Sequence, residues 1–160
     1  MPGPGGAPYV TAVQLSNYIP AATLNLATLV QQEQACLDAT ETADSFIRGR
    51  YQLPLLAWGN DLTRYTAAIA VYYLLSGSVG FAPQAGSDAN IVENYYRAVG
   101  WPGRPGTGWF PGIQRQSIMP DVTPSTAVGA DPAHDAPQVV SQPIRGWYQF
   151  RNNKPVVGGF

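Results

Sequence analysis

The chain has 160 residues, of which 12% are charged, with a net charge of -1, 17 glycines, 15 prolines and one cysteine. That length suits one domain with appendages, and the sparse charge with abundant Gly and Pro implies that part of it lies outside regular packed elements. Near-neutrality, with Lys154 the only lysine, excludes the broad cationic field that holds a nucleic-acid backbone by phosphate neutralisation. The lone Cys36 excludes an intramolecular disulfide or a cysteine-cluster metal site.

Residues 1–8 read MPGPGGAP and carry too little apolar surface to offset their ordering entropy, so a flexible arm is expected. They contain no basic or apolar leader, and the longest apolar run, AAIAVYYLL over 67–75, is about half a membrane span; the protein is expected to be soluble and intracellular when made. Order is expected from Tyr9. Thr11 caps a short helix, TAVQLSNYI, with Val13, Leu15, Tyr18 and Ile19 inward and Pro20 as its stop. From Thr23 or Asn25 to Arg48, apolar positions including Leu26, Leu29 or Val30, Cys36 or Leu37, and Ile47 recur every three to four residues. Gln31, Gln32, Gln34, Asp38, Glu41 and Asp44 lie opposite, which is the pattern of a long amphipathic helix. Cys36 then reads as a small buried hydrophobe.

That helix runs into ADSFIRGRYQLPL, residues 43–55. Arg48, Gly49 and Arg50 bring positive charge and a glycine cap to the helix C-terminus, and Leu53-Pro54 forbids its continuation. A second helix, LTRYTAAIAVYYLLSG, follows a cap at Asn60 or Asp61. Leu62, Tyr65, Ile69, Tyr72 or Tyr73, and Leu75 or Ser76 form its inward stripe, and alanines 67, 68 and 70 admit a close neighbour. A third helix, ANIVENYYRAVGW, opens at Ser87 or Asp88. The expected fold is mainly α, a small bundle of three to four helices forming a helical domain over 9–101. Nine of the fifteen prolines fall after Trp101, so 102–160 is expected to be an extended irregular C-terminal arm. A β-hairpin is expected over 146–158, where aromatic residues alternate around an Asn152-Asn153 turn signal; a lone hairpin must lean on the core or another subunit.

Catalytic chemistry is largely missing. His134 with Asp131 and Asp135 lies in a Pro/Ala stretch without the further rigid ligands a metal needs, and nothing local activates Cys36 as a nucleophile. Gly103 and Gly108 have phosphate-loop spacing, but Trp109 stands where the lysine belongs. No catalytic residue, metal site or cofactor is assigned. The tyrosine pairs Tyr72-Tyr73 and Tyr95-Tyr96 sit at core spacing without basic neighbours, which favours packing over base stacking. Trp101, Trp109, Phe110, Trp147, Tyr148 and Phe150 stand in a loop-rich region with little core to enter, and exposed aromatics of this kind mark an interface.

The segments YVTAVQL, ADSFIRGRYQLPL, DLTRYTAAIAVYYL and NYYRAVGW resemble the head-tail connector (adaptor) proteins of tailed phages, of the Mu-like prophage type. Arg50-Tyr51 and Leu53-Pro54-Leu55 match the corner motif directly, Phe46 and Ile47 stand near its Tyr-Leu pair, and Tyr96-Arg97-Ala98 is an approximate match. The likeness covers about residues 9–101 and ceases after Trp101. It implies a non-enzymatic helical subunit of a homo-oligomeric ring, commonly twelvefold, placed beneath the portal protein in the virion neck. Such a ring assembles in the host cytoplasm, lengthens the DNA channel and faces a stopper or tail-completion protein; DNA passes its lumen without sequence-specific binding. Arg48, Arg50 and Tyr51 then support a subunit or portal contact, or else only cap and pack the helix end. Alternatives are a stopper or tail-completion protein, an interaction module outside a virion, and, more distantly, a Cys or metal hydrolase centred on Cys36 and His134.

Overall fold

The computed structural model describes residues 6–77, 81–84 and 86–125. The chain divides after Thr126 into two units, and all described residues lie in the first. They form α1 (Ala12–Leu15), α2 (Ala21–Leu24), α3 (Leu29–Ile47), β1 (Leu55–Trp58), α4 (Asn60–Ser76), α5 (Gly86–Val99), α6 (Trp109–Gln114) and β2 (Val122–Pro124). The mainly α class is as expected, with a small antiparallel sheet added.

The N-terminal helices are shorter than their apolar spacing implies. Thr11 opens α1, and the Gln14 side chain accepts its N–H at 2.9 Å, but the helix lasts one turn before the chain irregularly rounds 16–19. Leu15 and Ile19, one turn apart and linked by the Ile19 N–H to the Leu15 carbonyl at 3.2 Å, are buried, while Val13 and Tyr18 face out. The long helix expected from residue 23 or 25 is two helices. Thr28 starts α3 with a reciprocal box: its Oγ1 accepts the Gln31 N–H at 3.3 Å, and Gln31 Oε1 accepts the Thr28 N–H at 2.9 Å. Gln32 Nε2 donates to the Leu24 and Ala27 carbonyls, both at 3.0 Å, tying α2 to this start. Leu26 falls between the two helices, and Leu29 and Val30 stand in the first turn of α3, ahead of its buried residues; the three are 83%, 60% and 73% exposed.

Ala35, Cys36, Ala39, Ala43 and Ile47 form the buried side of α3. They meet α4, which buries Leu62, Thr66, Ala67, Ile69, Ala70, Val71 and Leu75. The alanines on both helices let the backbones approach, and Thr42 Oγ1 meets the Tyr73 hydroxyl at 3.0 Å across the seam. On its other flank α4 receives α5, where Tyr72 stacks on Tyr95 with centroids 4.0 Å apart and Ala98 is fully buried. A helix buried this widely is the central one of its layer; α3 and α5 flank it.

The region after Trp101 differs most from expectation. Residues 109–114 form α6, which packs on both α3 and α5. The chain reverses after α5 because Gly100 and Gly108 adopt φ of 102° and 95° and press backbone against backbone; a Cβ on Gly100 would lie 2.6 Å from the Thr107 carbonyl oxygen. Pro111 is tolerated because it sits in the first turn, where its missing N–H has no helical partner to lose. Beyond α6 the chain returns as β2 to pair with β1, in the register Leu55↔Pro124, Ala57↔Thr123 and Trp58↔Val122, with Leu56 bulged.

Candidate subunit interface

The corner between α3 and β1 joins three parts of the molecule. Arg48 is the C-cap of α3 and is exposed, its N–H bonded to the Asp44 carbonyl at 2.9 Å. Arg50 turns inward: its Nη1 donates to the carbonyls of Ile113 at 3.1 Å and Ile118 at 3.2 Å, and its guanidinium lies 5.4 Å from the Tyr51 ring centroid. A guanidinium supplies two carbonyls at once because its donors diverge from one plane. Arg50 therefore fastens the end of α6 and the turn beyond it to the corner.

Beside the corner lies a groove of about 440 Å³ between residues 6–9, the α3 face bearing Leu37, Thr40, Glu41 and Asp44, and residues 51–55, with Arg48 at its rim. Tyr9 closes one side. Its N–H donates to Thr40 Oγ1 at 3.2 Å, its hydroxyl donates to Asp44 Oδ1, and its ring meets Trp58 edge-on at 4.9 Å. Burial pushes the Asp44 carboxyl above its ordinary range; the Tyr9 hydrogen bond and Arg48 pull it back, and Glu41 pushes it up. Burial, then the hydrogen bond and charge of Asp44, push the Tyr9 hydroxyl well above the ordinary phenol range. Burial first, and Glu33 second, raise the Cys36 thiol to about 11, which leaves it protonated and poorly nucleophilic near neutral pH.

Arg48 and Tyr51 thus share the groove, while Arg50 is taken up by α6 and Trp101 stands apart at the end of α5. Trp101 is 38% exposed, tilted against Tyr96 at 5.1 Å. Trp109 and Phe110, expected as exposed interface aromatics, are core residues instead, 9% and 0% exposed. Trp109 stacks on Tyr65 at 4.7 Å and Phe110 on Phe46 at 5.6 Å; α6 gives them the core that a loop would have denied. Trp147, Tyr148 and Phe150, the 146–158 hairpin and His134 lie outside the described residues.

Besides Val13 and Tyr18, the residues not foreseen as surface are Leu26, Leu29 and Val30. Their signal was masked because Thr28-x-x-Gln31 is a box of Gln type, inconspicuous inside an apolar run that reads as continuous helix.

Residues 9–101 match the family described as Bacteriophage Mu, Gp36. The chain belongs to the bacteriophage Mu Gp36 family. The match covers α1 to α5 and the corner, so these features are those of a Mu-like phage protein, and the family points to a structural or morphogenesis role in the phage. No curated protein and no solved structure matches the chain. Among the described residues no group of three or more His, Cys, Asp or Glu side chains could hold a metal ion, and no helix is long and apolar enough to cross a membrane.

Proposed function

We propose that this Gp36-family protein is a head-tail connector subunit. It forms a closed homo-oligomeric ring under the portal, extends the DNA channel and offers its far side to a stopper or tail-completion protein. The role requires no catalysis and places the protein in the virion neck after assembly in the host cytoplasm. The observation that carries it is three exposed apolar side chains, Leu26, Leu29 and Val30, on a domain whose core is complete without them; exposed apolar surface of this kind marks protein contacts. Family membership supplies the phage context, and a ring is the closed form of a heterologous self-contact.

Cryo-microscopy of the full chain incubated with the portal of the same phage tests this. A ring coaxial with the portal is the expected result; a chain that never associates with portal or tail components contradicts it.

A further inference from the structure

We infer that neighbouring copies of this chain meet head to tail, the outer face of α3 on one copy receiving the 101–107 turn of the next; the inference rests on the ring reading above. Because α4 separates α3 from α5, each copy carries these two surfaces on different flanks, and a ring requires two different, complementary patches per subunit.

The α3 face combines apolar and acidic groups. Val30, Glu33, Leu37 and Glu41 recur every three or four residues and so form one stripe; Val30, Glu33 and Glu41 are exposed and Leu37 is half-buried. All four charges within α3, at Glu33, Asp38, Glu41 and Asp44, are acidic. Among the described residues the salt bridge formed is Arg97 to Glu93 on α5, so Glu33 and Glu41 have no cationic partner there.

The 101–107 turn has the opposite character. Its single charge, Arg104, is exposed and its guanidinium has no partner among the described residues; Trp101 stands beside it, with Pro102 and Pro105 also exposed. The turn is held in shape: Thr107 Oγ1 accepts the Trp101 N–H at 2.8 Å and donates to the Arg104 carbonyl at 2.9 Å, and the Arg115 guanidinium donates to Gly106. A preformed turn loses little conformational freedom on docking, and Trp and Arg are the residues that most often anchor such contacts. Val30 and Leu37 offer apolar surface to Trp101, and Glu33 and Glu41 offer carboxylates to Arg104. This complementarity within a single chain identifies the occupant as a second copy.

Two charge reversals test the inference on the full-length protein, with assembly followed by sedimentation velocity and native mass, and folding by circular dichroism. Arg104→Glu alone and the pair Glu33→Arg with Glu41→Arg alone are each expected to lower ring formation roughly tenfold or more, since like charges then face each other. An equimolar mixture of the two variants is expected to assemble, because in an alternating ring every contact again pairs opposite charges. R104E rings as stable as wild type, or a mixture that stays unassembled, overturn this contact while leaving the ring itself standing. Wild-type protein that forms no ring alone or on the portal overturns both.

Discussion

Thr66 is fully buried and, among the described residues, its hydroxyl has no hydrogen-bond partner. Replacing it with isosteric valine removes an uncompensated desolvation, so Thr66→Val is expected to stabilise the fold by about 1 kcal/mol, read as a higher urea midpoint; a lower midpoint contradicts the packing described. Arg50 is the converse case, since it satisfies two carbonyls. Arg50→Ala is expected to cost about 1–3 kcal/mol in denaturant unfolding, and Arg50→Lys to recover only part, because an ammonium lacks the planar guanidinium that lies over the Tyr51 ring. Burial holds Cys36 at about 11 against 9.0, Tyr95 at about 12 against 10.0, and Tyr9 higher still. Each group keeps its proton more tightly folded than unfolded, so above the ordinary values the unfolded chain binds fewer protons and stability falls as pH rises. The contribution is complete below pH 9.0 and lost progressively towards pH 12. A urea midpoint that rises through that window would refute these assignments.

At the level of elements, what was legible in the sequence followed strong periodicity. The existence of α3, α4 and α5, the corner at 48–55 and the burial of Cys36 all follow from three-to-four spacing and from Pro and Gly punctuation. The start of α3 was not legible, because Leu26 and Leu29 continue the apolar rhythm and the Thr28-Gln31 box that marks the break is inconspicuous within it. Nor was α6: a proline count marks irregular chain, yet Pro111 occupies the one helical turn that tolerates it. The candidate site was half legible for the same reason, as Trp109 and Phe110 could be placed in the core only once α6 was known. Phe110→Ala is expected to cost about 3–5 kcal/mol and to detach α6. In hydrogen exchange, the α6 amides of residues 113–115 should be protected together with α3, and in Arg50→Ala they should exchange faster than those of α4. Uniform fast exchange across 102–125 in wild type would restore the irregular arm that the sequence implied.

At the scale of the whole molecule, a core closed by α4 and α6 leaves the outer side of α3 and the turn after α5 free for partners, and a net charge of -1 leaves a channel built from such subunits little general attraction for DNA. On the connector reading, function depends on association. The family match bounds the phage context, while the surfaces of the folded domain carry the connector reading. Native mass spectrometry of the full chain, alone and mixed with its portal, tests that reading most directly. The account expects one closed oligomer of defined copy number that binds the portal as a ring; a monomer at every concentration, unchanged by the portal, would contradict it.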